Sequence, residues 1–318
     1  MSGTSLRGVA IGVDIGGTKC LGVVVDGGGT VVAEHRVATP RTAGDLVAAV
    51  VAVVGVLRER GDRAAPVGVG APGLVAERSS LRFAPNLPGV VDLALGEQLT
   101  RELGGTVLVE NDATCATWAE RRLGAARESP YALMVTIGTG IGGGMIVGGR
   151  LQRGSNGFAG EIGHMVVDPQ GPRCPCGQCG CWERYASGSG LGWMAREAAQ
   201  AGIARRVVEL AGGDPEAVRG EHVTVAAAEG DLEAGDVMGR FGWWLALGLA
   251  NLANVLDPDL VVLGGGIVES GPVLLDPVRA AFAQLLEGAS HRPRIPIVAA
   301  ALGERAGAIG AALLSAEP

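Results

Sequence analysis

Residues 9–32 read VAIGVDIGGTKCLGVVVDGGGTVV, and the chain repeats them. Residues 131–152, YALMVTIGTGIGGGMIVGGRLQ, align with that stretch at a constant offset of 122 residues and without a gap. Asp14 falls on Thr136, Gly16 on Gly138, Val23–Val25 on Met145–Val147 and Gly27 on Gly149. Each copy reads as an apolar, β-branched strand, a glycine turn and a second strand. Glycine turns between valine-rich strands are common, so coincidence is the competing explanation. Two hairpins that each open their own α/β unit point instead to an internal duplication and two like domains.

The intervening sequence fits an α/β reading. A long apolar helix (DLVAAVVAVVGVLRER) precedes a strand ending in VGVGAPG. An irregular loop (FAPNLPG), a helix around LALGEQLTREL and a strand (TVLVEND) follow. Strands alternating with helices imply helices covering a sheet. A third glycine turn ends the strand in DPDLVVLGGGI, and the chain closes with a strand (PIVAAAL) and a helix (ERAGAIGAALLSA).

Composition narrows the function classes. The net charge is −7 over 318 residues with no basic run, which argues against a nucleic-acid partner. The longest apolar stretch, Phe241–Leu256, carries Asn251 and Asn254 and falls short of the roughly 20 residues a membrane span needs. It reads as a buried helix. The N-terminus lacks the features of a secretory signal, so a cytoplasmic location with reduced thiols is expected.

Three glycine turns at strand ends suggest backbone that approaches phosphate closely. The P-loop pattern is absent. GTGIGG (138–143) satisfies G-x-G-x-x-G, but a dinucleotide fingerprint must open a helix, whereas this one runs into another strand.

Together, DIGGTK, the repeated hairpin, END at a strand end, GEIGH, the C-x-C-x4-C loop followed by Glu183, and LGGGI resemble the ROK (repressor, open reading frame, kinase) sugar kinases. The resemblance covers essentially the whole chain. It implies an actin/hexokinase/heat-shock-protein-70-like α/β fold of two duplicated domains around a central cleft, with a structural zinc loop. The expected division is 1–111 plus a C-terminal helix at about 304–318, and 112–303. The implied activity is ATP-dependent phosphorylation of D-glucose to glucose 6-phosphate, by a homo-oligomer (dimer or tetramer).

The resemblance also implies site residues. Asp112 stands between a strand and a helix, where position alone leaves two roles open, helix N-cap or outward-turned base. The family makes it the general base for the 6-hydroxyl. Asp14 would orient Mg²⁺, with Gly16, Gly17, Thr18 and Lys19 around the ATP phosphates. Thr136, Gly138, Thr139 and Gly140 would close on those phosphates, and Gly264, Gly265 and Gly266 would lie against the adenosine. Gly73, Asn86, Asn111, Asp112, Glu161, His164 and Glu183 would bind the sugar. One departure is NLPGV (86–90), where the family often has Trp in place of Val90; that position bears on sugar selectivity.

Four of the six cysteines lie within residues 174–181. His164, Cys174, Cys176 and Cys181 offer one nitrogen and three thiolates, a tetrahedral set suited to Zn²⁺. Cys179 occupies a position the family leaves variable and is left out. Four protein ligands leave no open position, so the metal would be structural, pinning the loop between Glu161 and Glu183. The competing readings are a kinase for another hexose (mannose, N-acetylglucosamine or fructose), a polyphosphate-using kinase, and a non-catalytic sugar-sensing regulator. A regulator of this family needs a helix-turn-helix ahead of the sugar domain, and here the first strand begins near Gly8.

Overall fold

A computed structural model describes residues 8–40, 42–60, 62–84, 87 and 90–317. The N-terminal sheet opens with β1 (Ala10–Ile15), β2 (Lys19–Val25) and β3 (Val31–Ala38), which α1 (Ala43–Glu59) and β4 (Val67–Ala71) follow. A small three-stranded sheet comes next, β5 (Leu74–Ala76), β6 (Ser80–Phe83) and β7 (Val91–Leu93). Then come α2 (Leu95–Leu103), β8 (Val107–Asn111) and α3 (Asp112–Leu123).

The second hairpin is β9 (Ala132–Ile137) and β10 (Ile141–Val147), followed by β11 (Arg150–Gln152). Helices α4 (Glu183–Ala186), α5 (Gly188–Gln200), α6 (Arg205–Leu210), α7 (Gly220–Ala228) and α8 (Leu232–Leu256) precede β12 (Leu260–Gly264). The chain finishes with α9 (Pro272–Leu285), β13 (Ile297–Ala299) and α10 (Ala306–Ser315).

The repeat is exact in the backbone: β1 and β9, and β2 and β10, have the same bounds once 122 is added. The two main sheets have matching orders, β3-β2-β1-β4-β8 and β11-β10-β9-β12-β13. In the first, β1 pairs antiparallel with β2 and parallel with β4, which pairs parallel with β8. In the second, β9 pairs parallel with β12, and β12 with β13. Each is thus a hairpin edge continued by parallel strands, an actin/hexokinase-like architecture built twice.

Contacts divide the chain into two compact units. One holds Met1–Pro130, Gly144–Gly160 and Ala300–Pro318; the other holds Tyr131–Gly143 and Glu161–Ala299. The sequence boundary after residue 111 differs from this division because α3 packs along α10 and stays with the first unit.

In the first unit, α1 buries Leu46, Val50, Val53, Val54 and Leu57, and β1, β4 and β8 contribute Ile11, Val13, Val67, Val69 and Val109 to the same core. Val90 is also buried there, so the Trp-to-Val departure falls in the core of this unit. Helix α10 (AGAIGAALLS) is composed largely of small residues because backbone lies directly beneath it. A Cβ on Gly12 or Gly68 would stand 1.9 Å from Ala308 O or 2.0 Å from Ala311 O, and one on Gly310 1.8 Å from Cys115 O.

In the second unit, the apolar stretch Phe241–Leu256 forms the C-terminal part of α8, with Phe241, Leu245, Leu249 and Ala253 buried. No helix among the described residues is long and apolar enough to cross a membrane.

Candidate active site

In the first unit, strand order brings two carboxylates together. Asp14 on β1 is in register with Gly70 on β4, and Gly70 with Glu110 on β8, so Asp112 follows just past the end of the neighbouring strand. A Cβ on Gly70 would lie 3.4 Å from both Asp14 Oδ1 and the Asp112 Cα. Burial, reinforced by the Asp112 charge and opposed by Lys19, pushes the Asp14 carboxyl up to about 7. Its Oδ1 is fully enclosed and has no hydrogen-bond partner among the described residues.

The cap of α3 is Asn111, not Asp112. Asn111 Oδ1 accepts the Thr114 N–H at 2.9 Å, and its Nδ2 donates to Gly73 O at 3.1 Å. Asp112 is the first helical residue, with Oδ1 accepting the Ala113 N–H at 2.8 Å. Two residues expected at the sugar, Gly73 and Asn111, are therefore tied to each other beside Asp112. The strand end is braced from behind by Glu110, 2% exposed, which accepts from Arg153 Nε at 2.6 Å.

In the first glycine turn, Gly16 N–H donates to Lys19 O at 2.9 Å, and Thr39 Oγ1 donates to Gly16 O at 2.6 Å. Gly17 has open space where a Cβ would be. Lys19 is ion-paired with Glu304, which also pairs with Arg36 at 2.6 Å. Gly307, at the start of α10, lies against Asp14. Neither the pairing of Glu304 nor the position of Gly307 is evident from the sequence. Their only signal was ERAG at the start of a helix, where glycine is costly unless space demands it.

In the second unit, the glycine turns are side by side. Thr136 is in register with Gly264, and a Cβ on Gly265 (φ +98°) would stand 2.1 Å from Ile137 O. Gly265 therefore meets two demands that only glycine satisfies, a left-handed backbone and close approach. The 138–140 turn closes with Gly138 N–H on Gly140 O at 3.0 Å and opens into strand β10, not a helix. That excludes the dinucleotide fingerprint.

The sulfur loop gathers its donors. One donor atom from each of His164, Cys174, Cys176 and Cys181 lies within 4.8 Å of the others. Cys174 Sγ is 3.7 Å from His164 Nδ1, and Cys176 Sγ is 3.6 Å from Cys181 Sγ. Sulfurs at ~2.3 Å from a tetrahedral ion are roughly 3.8 Å apart, so the set fits Zn²⁺. Cys179 is outside the set and pairs through its backbone with Arg173.

The other His164 nitrogen, Nε2, is 3.9 Å from Glu161 Oε2. Burial raises the Glu161 pKa, with His164 lowering it and Glu183 raising it further. Glu183 accepts the Ile141 N–H at 2.9 Å. The fully buried Trp182 anchors this segment, donating from Nε1 to Trp244 O at 2.8 Å and lying against Gly248. Glu161, His164 and Glu183 are thus brought to one loop. Asn86 lies outside the described residues.

A glucokinase from Streptomyces coelicolor is 41% identical over 314 residues, covering 98% of each chain. A glucokinase from Thermotoga maritima is 34% identical over 309 residues, covering 96% of this chain and 97% of that one. Among solved structures, a ROK family glucokinase from Streptomyces griseus in complex with glucose and AMPPNP matches with a TM-score of 0.89 and 41% identity, covering 96% of this chain and 99% of that one. The sequence pattern of the ROK family matches residues 10–317, and this chain belongs to that family.

Proposed function

We propose that this chain is an ATP-dependent glucokinase that converts D-glucose to glucose 6-phosphate. The observation that carries the reading is Asp112, set at the first position of α3 beside Asp14 and relieved of capping by Asn111, in a chain 41% identical to a glucokinase over nearly its full length. In-line phosphoryl transfer demands positioning, charge stabilisation and a base for the attacking hydroxyl. Asp112 accepts the 6-hydroxyl proton. Glu161, His164 and Glu183, with Asn86, Asn111 and Gly73, hold the sugar. Residues 16–19, Thr136 and 138–140 surround the phosphates, and 264–266 take the nucleoside.

Mg²⁺, bound with ATP, supplies positive charge to the phosphates. The enclosed, unpartnered Oδ1 of Asp14 fits such a cation or one of its waters. Zn²⁺, held by His164, Cys174, Cys176 and Cys181, supplies a structural crosslink. A reducing cytosol suits those thiolates. Assembly as a dimer or tetramer belongs to the same reading and is supported by Trp243, which is 41% exposed on α8; light scattering on the purified protein tests it.

A panel of hexoses with ATP, read as ADP release, tests the function. Glucose is expected to be the preferred acceptor. Preference for mannose, N-acetylglucosamine or fructose would overturn the specificity, and no turnover with any hexose would overturn the activity.

A further inference from the structure

The segment that follows the sulfur loop grips the second glycine turn at three backbone groups. Gly188 N–H donates to Gly138 O at 2.8 Å, Ser189 Oγ donates to Thr139 O at 2.8 Å, and Glu183 Oε2 accepts the Ile141 N–H at 2.9 Å. The fit has no slack. A Cβ on Gly140 would stand 2.1 Å from Glu183 Oε2, and one on Gly188 2.8 Å from Gly138 O. The segment is itself held at both ends. Trp182, just before Glu183, is anchored on α8, while Ser187 caps α5 by accepting the Gly190 N–H at 3.2 Å.

We infer that Ser189 is a positioning residue for the nucleotide, and that residues 183–189 make the metal loop a support for the phosphate turn as well as for the sugar. The inference rests on the proposed role of residues 138–140 at the ATP phosphates. A turn that presents backbone N–H groups to an anion works only if its peptide planes are fixed. Two of the turn's carbonyls are held by Gly188 and Ser189, so the peptide units they belong to cannot rotate freely. Without the Ser189 hydroxyl, the Thr139–Gly140 peptide loses its tether and the turn must be ordered by the nucleotide itself, which weakens binding. Ser189 is exposed and contributes no apolar surface to the core, so its replacement leaves the fold intact.

The test uses the full-length, zinc-containing protein with Ser189→Ala and Ser189→Thr. KM for ATP and KM for glucose are measured separately, the Kd of a non-hydrolysable ATP analogue is measured by calorimetry, and zinc is measured by mass spectrometry. The loss of one hydrogen bond predicts that Ser189→Ala raises the ATP KM and the analogue Kd roughly three- to tenfold. The glucose KM and zinc content stay at wild-type levels, and Ser189→Thr restores nucleotide affinity. An unchanged analogue Kd, an equal rise in both KM values, or loss of zinc would each overturn the inference. Failure of the wild-type protein to phosphorylate any hexose would instead overturn the proposed function, so the two failures are distinguishable.

Discussion

Gly307 lies so close to Asp14 that a Cβ on it would stand 2.7 Å from the carboxylate carbon and 2.8 and 2.9 Å from the two oxygens. Gly307→Ala therefore sets two effects against each other. Alanine gains about 1 kcal/mol of helix propensity in α10, while crowding a packed site costs roughly 1–3 kcal/mol. Net stability by urea denaturation should change by no more than about 2 kcal/mol, whereas kcat falls at least about tenfold because Asp14 is displaced. Wild-type kcat in this variant would show that the close approach does not hold the carboxylate.

Asp112→Asn keeps the size of the side chain and removes the base. We expect kcat to drop on the order of 10²-fold or more, with the glucose Kd nearly unchanged. Titration of glucose against intrinsic tryptophan fluorescence, beside steady-state kinetics, separates the two. Near-normal turnover would remove the assignment.

Asp14 gives a pH signature. Its carboxyl is raised from 3.8 to about 7, chiefly by burial and then by Asp112. The folded protein therefore holds this proton more tightly than the unfolded chain between those values, and stability falls as pH rises through that window. In protein free of magnesium and nucleotide, Asp14→Asn should flatten this slope and be the more stable form at pH 8, although inactive. Parallel stability–pH curves for the two proteins would count against the buried charge.

Cys176→Ser removes one donor from the cluster. Zinc content by mass spectrometry should fall well below one per chain, and thermal stability should drop with it. Because the sulfur loop runs directly into the segment that grips residues 138–141, both the glucose KM and the ATP KM should rise. A rise confined to glucose would mean that the turn keeps its shape without the metal.

The parts legible in the sequence were those with a repeated or local signal. The two hairpins were legible because the same alternation of β-branched residues and glycine recurs in both copies, and the structure shows that β1 and β9, and β2 and β10, keep the 122-residue offset to the residue. The sulfur cluster was legible because its donor types and spacing are specific. The small sheet of β5–β7 was not, since its strands are three or four residues long and flank a proline-rich loop. Sequence offered Asp112 as helix cap or as base, and it is Asn111, a residue type that caps equally well, that takes the capping role in the structure. The contacts of Glu304 and Gly307 were not legible for another reason. Their partners, Lys19 and Asp14, lie nearly the whole chain away, and only the packing of α10 on β1 brings them together.

Helix α10 supplies the cover for glycine-lined faces of β1 and β4 that are made roughly 240 to 300 residues earlier in synthesis. On the ribosome, the first sheet must wait, with that surface bare, until α10 emerges. A transcript or translation product cut short before Ala306 would leave a sheet that can neither finish folding nor set Asp14 in place, a natural target for chaperones and proteases.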